Sequence, residues 1–327
     1  MTTPRSSIII GGTIAIDHVK TPEAEAANLL GGSAAYAALA ASFFTRPVDL
    51  IGIIGHDFPK QHLDMLESHG ISLNGVERSE NESFTWSGEY HANMNQRTTH
   101  RVGLNVLENW QVKVPAASSA ASVVVLANMS PDNQMEMLSQ CGIENAGHGK
   151  ENEQRFVVAD TMDLWIEIAN QRLREVLPLL DLFVLNEGEA RDLAGTSSLV
   201  RAGRILLEMG PRHVVIKLGE FGAMLFSNAE GADAEQTDID IFRCSAWPLE
   251  VVADPTGAGD TFLGGMAGYL AAQGPPPYTA DVLRQAIVQG SILASFTCEA
   301  FSTRRLEALT GDDLAERVRL YRQATDW

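Results

Sequence analysis

The sequence is poor in cysteine and in basic residues and has no long apolar run, and each lack removes a class of protein. Its three cysteines, Cys141, Cys244 and Cys298, lie far apart and form no CxxC pair. They supply neither a disulfide framework nor a zinc knot, and suit a reducing compartment in which each serves as a small buried apolar residue. Lysine and arginine number 24 against 42 acidic residues, a formal net charge of −18. Nucleic-acid binding relies on clustered Lys and Arg against phosphates, and TRR at 303–305 is too short a cluster. Neither a nucleic-acid nor a membrane partner is therefore expected. No apolar run reaches membrane-spanning length. The opening MTTPRSSIII lacks a basic segment followed by a long apolar core, so no signal peptide is expected and the expected location is cytoplasmic. An anionic ligand would have to be held by backbone N–H groups, a metal or a few local cations.

Common catalytic signatures are missing too. No Gly-x-x-x-x-Gly-Lys-Ser/Thr occurs, which argues against a P-loop ATPase. There is no Gly-x-Ser-x-Gly and no His-Glu-x-x-His. No Gly-x-Gly-x-x-Gly follows the first apolar run, which weakens an NAD dehydrogenase reading. His18, His56, His91 and His100 are scattered and read as surface or pocket-rim residues rather than metal ligands.

What is present is an α/β rhythm. The 327 residues, 45% hydrophobic and 20% charged, suffice for one large domain with an appendage, and are read as a single domain over 1–327. SSIIIGG, VDLIGIIG, ASVVVLAN, RFVVAD, DLFVLN and RHVVIKLG read as buried strands. SAAYAALAASFF, PKQHLDMLESHG and EGEARDLAG read as helices, the second stopping at Gly70. Strands alternating with helices predict a Rossmann-like, mostly parallel central sheet flanked by helices. Four strands end at Asn128, Asp160, Asn186 and Gly219. Any one could simply cap the next helix, but together they favour a ligand site at the carboxyl ends of the strands. Two stretches break the rhythm. Residues 83–108 alternate polar with apolar or aromatic side chains, and TIAIDHV places Ile14 and Ile16 on one face, Ala15 and Asp17 on the other. They predict a small β-sheet lid from about 13–19 and 83–108; the alternative is a pair of edge strands on the main sheet. Within it, Trp86, Tyr90 and His91 suit lid packing, a homodimer interface through the lid, or stacking on a base or sugar. Arg97 and Asn105 could reach a substrate hydroxyl.

DPTGAGDTFLGG, at 254–265, carries the chemistry. EVVAD is read as a strand ending at Asp254. Gly257 and Gly259 allow positive φ and leave N–H groups uncovered. The first turn of the following helix adds unpaired N–H groups and a positive dipole end, and the two together form an anion site. Asp260 beside it is placed to take a proton from a nucleophile while the N–H groups hold developing charge, as phosphoryl transfer requires. The plainer alternative is a carboxylate that only satisfies the helix dipole.

DPTGAGDTFLGGMA as a whole resembles the second signature of the ribokinase-like kinases, the PfkB carbohydrate kinase family. In the same order, GGSAAYAALAA resembles the family's N-terminal glycine motif, IGIIGHDFP its Gly-x-x-Gly-x-Asp segment, NEGE its Asn-x-x-Glu motif, and VVIKLGEFGAMLF its nucleotide-binding strand and turn. The resemblance implies ATP- and Mg²⁺-dependent phosphorylation of a hydroxymethyl group on a sugar; alternatives are a nucleoside kinase of the same fold or a catalytically silent ligand-binding or regulatory homologue. It implies Asp260 as catalytic base and Gly257, Ala258, Gly259 and the Asp260 amide as anion hole. It implies that Asn186 and Glu189 organise Mg²⁺ and the phosphates through water, which suits a cation that keeps its waters. Lys217, Gly219, Gly222 and Thr256 would lie on the nucleotide side. Asp254 falls where many members hold a monovalent cation such as K⁺, and Asp17 where the family grips substrate hydroxyls, beside Gly31 and Gly32. Ser33 and Tyr36 depart from the usual asparagines, and Tyr36 could narrow the pocket or stack on a ring. Lys217 replaces a common Thr, to neutralise phosphate or to face solvent. The segment QGSILASFTCEAFSTRR matches the adenine side only loosely.

Overall fold

The computed structural model describes residues 8–144, 154–228 and 239–325. Short runs of Ile, Val, Leu and Phe become strands buried on both faces, as parallel strands covered by helices must be. In chain order the strands are β1 (Ile8–Gly11), β2 (Ala15–Lys20), β3 (Glu25–Gly31), β4 (Val48–Ile54), β5 (Ile71–Arg78), β6 (Phe84–Tyr90), β7 (Arg97–Gly103), β8 (Val123–Leu126), β9 (Phe156–Asp160), β10 (Leu182–Asn186), β11 (His213–Lys217), β12 (Ala223–Asn228) and β13 (Ile239–Cys244).

Nine of them form one sheet in the order β13-β12-β11-β10-β9-β8-β1-β4-β5. From β11 to β5 every pairing is parallel, and β12 and β13 add an antiparallel edge. The chain leaves β1 for β4 on one side and returns to β8 on the other, so the switch point lies at the carboxyl end of β1, where α/β sheets open a crevice.

The remaining four strands make a separate sheet in the order β3-β2-β6-β7, which excludes the edge-strand alternative. Strands β2 and β6 run parallel, with antiparallel β3 and β7 outside them. Both expected stretches contribute, and β3 joins them, a strand whose outer half is largely exposed and shows no clear alternation.

One expected strand is absent: EVVAD does not join the sheet. The N–H groups of Ala253 and Asp254 donate instead to the carbonyl of Cys298, at 2.8 and 3.4 Å. The chain here crosses from the β13 edge back to the centre, and the end of the helix Ala280–Thr297 takes the place of a neighbouring strand. The helices Ser33–Ala41 and Ala258–Ala272 then cross closely, because Gly264 and Gly268 leave room for the backbone of Ala37 and Ala41. That crossing fixes the 254–260 turn against Tyr36. All three cysteines are free, two of them buried. No described helix is long and apolar enough to cross a membrane.

Candidate active site

A cleft of 1710 Å³ opens between the small sheet and the carboxyl ends of the main strands. That volume accommodates two ligands side by side, since single-ligand sites run to about 300–1,000 Å³. Asp17, Gly32, Ser33, Tyr36, Arg97, Asn186, Glu189, Thr256, Gly257 and Asp260 all line it, so the substrate-side and turn residues expected from sequence do converge. Gly219 and Gly222, in the turn joining β11 to β12, do not line it, nor do Gly31, Lys217, Asp254, Ala258 and Gly259.

The turn after Asp254 is built as its glycines require. Gly257 has φ 75° and ψ 1° and stands at the N-cap of the helix Ala258–Ala272 with no side-chain cap, so the first-turn N–H groups are left for a ligand. The Tyr36 ring lies against the Gly257 backbone where a Cβ would sit. Tyr36, 1% exposed, therefore supports the turn from beneath rather than offering a face to solvent. Its hydroxyl is pushed well above the ordinary phenol value by burial and then by Asp17. Asp254 is fully buried; its Oδ1 accepts from the Thr256 N–H at 2.9 Å and its Oδ2 from the Ser302 N–H at 3.0 Å. It ties the turn to the C-terminal part of the chain.

Asp260 occupies the first turn of the helix. Burial raises its pKa, while Lys217 and then Arg97 pull it down. Lys217, at the end of β11, points inward: its Nζ lies 2.9 Å from where a Gly259 Cβ would be. Asp160, at the end of β9, completes the group, with Oδ1 buried and without a hydrogen-bond partner among the described residues. Burial pushes the Asp160 carboxyl well above the usual range, and Asp260 and Glu189 push it further while Lys217 opposes. Glu189 is raised by burial and lowered chiefly by Lys217. Asp160, Glu189 and Asp260 are thus all opposed in their upward shifts by the same ammonium group, that of Lys217. Asn186 and Glu189 also form a capping box: the Asn186 N–H donates to Glu189 Oε2 at 2.7 Å, and the Glu189 N–H to Asn186 Oδ1 at 2.9 Å. This leaves Glu189 Oε1 and Asp160 Oδ1 for other partners. Among the described residues no cluster forms a direct metal cage. The two open oxygens fit a hydrated cation shared with phosphates.

Across the cleft, Asp17 on β2 lies flat against Gly31, where any side chain would collide with its carboxylate. Burial, then Asp254 and Asp260, push the Asp17 carboxyl up to about 8. Ser33 is occupied in holding strands together: its Oγ donates to the Asn128 carbonyl at 3.1 Å, and its N–H to Thr13 Oγ1 at 3.1 Å. Asn105 likewise donates from Nδ2 to the Ser83 carbonyl at 2.8 Å. Arg97 opens β7 opposite Tyr90, which carries it to the cleft. Asn95, in the same hairpin, reaches across so that its Oδ1 lies 3.8 Å from where a Gly219 Cβ would be. The β6–β7 hairpin thus reaches from the cleft to the turn that joins β11 to β12. Sequence reasoning marked Asp160 only as a strand end and missed Trp165 and Met162, which line the cleft from the segment after β9.

A family model, pfkB family carbohydrate kinase, matches residues 9–308. The chain belongs to the pfkB carbohydrate kinase family. As a pfkB kinase it is a phosphotransferase. It is 28% identical over 265 residues to a cytidine kinase of Thermococcus kodakarensis, covering 80% of this chain and 88% of that one. Its fold is similar to that of an Arabidopsis thaliana ribokinase complexed with ribose and ATP, with TM-score 0.73, 18% identity, and 96% and 99% of the two chains covered. A nucleoside kinase of Methanocaldococcus jannaschii superposes with TM-score 0.71 at 16% identity, covering 96% and 98%. The pfkB signature on DPTGAGDTFLGG thus coincides with the uncapped turn that the fold brings to the cleft.

Proposed function

We propose that this pfkB kinase transfers the γ-phosphoryl group of ATP to a hydroxymethyl group of a sugar ring. The observation that carries the reading is Asp260 in the first turn of an uncapped helix, beside left-handed Gly257 and facing Lys217. Asp260 takes the hydroxyl proton; the freed oxygen bonds to the γ-phosphorus as the bridging P–O bond breaks, and ADP carries away the electron pair. The N–H groups at 257–260 hold the charge that develops on the moving phosphoryl oxygens. Lys217 serves twice, opposing the upward push of burial on Asp260 and offsetting phosphate charge. Asp160 and Glu189 would hold Mg²⁺ through its waters, and the ion supplies charge neutralisation of the phosphates when bound. Asp17 accepts hydrogen bonds from the acceptor's ring hydroxyls, and the small sheet, as a lid, excludes water. Asp254 has each oxygen engaged by a backbone N–H, which supports a role in holding the turn rather than in holding K⁺.

The test is ADP release with ATP, Mg²⁺ and a panel of pentoses, hexoses, sugar phosphates and nucleosides, with products identified by mass. Acceptor-dependent ADP release with a monophosphate product is expected. ATP binding without acceptor-dependent turnover across the whole panel would refute it in favour of a binding protein.

A further inference from the structure

The kinase reading leaves one wall of the cleft without a task. Met162, Leu164 and Trp165 line it from the body, and Trp86, Val102 and Leu104 from the small sheet and its end. Leu164, Val102 and Leu104 are 39%, 50% and 48% exposed, three of the eight exposed large hydrophobic residues among those described. A free sugar presents hydroxyls around its ring and calls for hydrogen-bonding partners. Exposed apolar surface gathered in a concave site marks a ligand with an apolar face.

The two indoles in this wall are held by their edges. Trp165 Nε1 donates to Asn128 Oδ1 at 2.8 Å, and Asn128 Nδ2 donates to Met162 Sδ at 3.2 Å. Both ends of the Asn128 amide are thus engaged by the wall. The Asn128 carbonyl accepts from Ser33 Oγ at 3.1 Å and from the Thr13 N–H at 3.2 Å, so Trp165 stands one residue away from the end of the cleft lined by Thr13, Asp17 and Ser33. Trp86 Nε1 donates to Thr99 Oγ1 at 3.3 Å. No ring pair among the described residues includes either indole. Each N–H is satisfied and neither indole stacks on another ring; Trp86 rests against Gly88 on one side, which leaves its other side and the half-buried Trp165 ring for stacking on a ligand.

We infer that Trp165, oriented by Asn128, stacks on a planar aromatic base, so that the acceptor is a nucleoside rather than a free sugar. The inference rests on the kinase reading above: the ribose hydroxymethyl group points to Asp260, the ring hydroxyls to Asp17, and the base lies along Trp165 with Trp86 above it on the lid. Trp165 governs acceptor choice and takes no part in proton transfer.

Calorimetric titration without ATP, using adenosine, cytidine and ribose on the wild type, Trp165→Ala and Trp165→Phe, separates this from the parent reading. A nucleoside should bind more tightly than ribose. Trp165→Ala should weaken that binding about 10- to 100-fold, whereas Trp165→Phe, which keeps a ring, should hold it within about threefold. In steady-state assays the ratio of kcat/KM for the nucleoside to that for ribose should fall by a similar factor in Trp165→Ala. Nucleoside binding unaffected by Trp165→Ala, or ribose preferred over both nucleosides, would overturn the inference and leave the kinase reading intact. Trp165-dependent nucleoside binding without any phosphorylation would uphold the platform and refute the kinase reading alone.

Discussion

Gly257→Ala isolates the contribution of the anion turn. Two costs follow from the structure. Gly257 holds φ 75°, a left-handed conformation worth about 1–2 kcal/mol for a residue with a Cβ. The new methyl would also enter the space of the Tyr36 ring, which is 1% exposed and has nowhere to retreat. Overpacking of this kind adds about 1–3 kcal/mol, for a total of about 2–5 kcal/mol. With an unfolding entropy of about 2.1 cal mol⁻¹ K⁻¹ per residue over 327 residues, Tm should fall by about 3–7 °C. The turn's N–H groups should also shift, lowering kcat about 100-fold, as loss of one preorganised donor does. Differential scanning calorimetry and steady-state kinetics measure the two effects. Adding Tyr36→Leu should return the steric share of the Tm loss but not the φ share. A Gly257→Ala protein with wild-type Tm and kcat would refute the argument, because the turn would then neither press on Tyr36 nor face the phosphate.

The other predictions concern charge. Asp260 must be ionised to accept a proton, burial raises its pKa, and Lys217 opposes that rise; Lys217→Gln should therefore move the acidic limb of the kcat profile to higher pH, and an unmoved limb would remove Lys217 from the site. The Asp17 carboxyl sits at about 8 against an ordinary 3.8, so between these values the folded protein holds a proton that the unfolded chain has released, and stability drains as pH rises. Asp17→Asn escapes this loss, so its Tm relative to wild type should climb across that window and level off above it; a flat difference would refute the assignment. Glu189→Gln keeps an oxygen for the Asn186 N–H, so the capping box should persist while the Mg²⁺ concentration for half-maximal rate increases. An unchanged Mg²⁺ titration would reduce Asn186 and Glu189 to a helix start.

Legibility in the sequence followed burial. Strands such as β8 and β10 are buried over nearly their whole length and show as continuous apolar runs. Strand β3 is half wet and carries no such run. EVVAD has the apolar pattern of a strand, but its N–H groups meet Cys298, a partner 45 and 44 positions away from Ala253 and Asp254 that no local pattern reveals. The site divides in the same way. The glycine turn and Asp260 are contiguous and carry a signature, so they were visible. The grouping of Asp160, Glu189 and Lys217 with Asp260 draws on the ends of separate strands and emerges only when the sheet order is known. Tyr36 stood out as a departure from the family's pattern, but its place beneath Gly257 depends on how two helices cross. Trp165 lies in a short helix with no buried residue and had no local signal at all.

The central claim is that Asp260 removes the acceptor's proton. Asp260→Asn keeps the shape of the side chain and removes its basicity. Single-turnover phosphoryl transfer at saturating ATP and acceptor, measured beside ATP binding by calorimetry, tests the claim most directly. The account predicts a rate about 10²- to 10⁴-fold lower, with ATP affinity essentially unchanged. A variant that transfers phosphoryl groups at nearly the wild-type rate would contradict it.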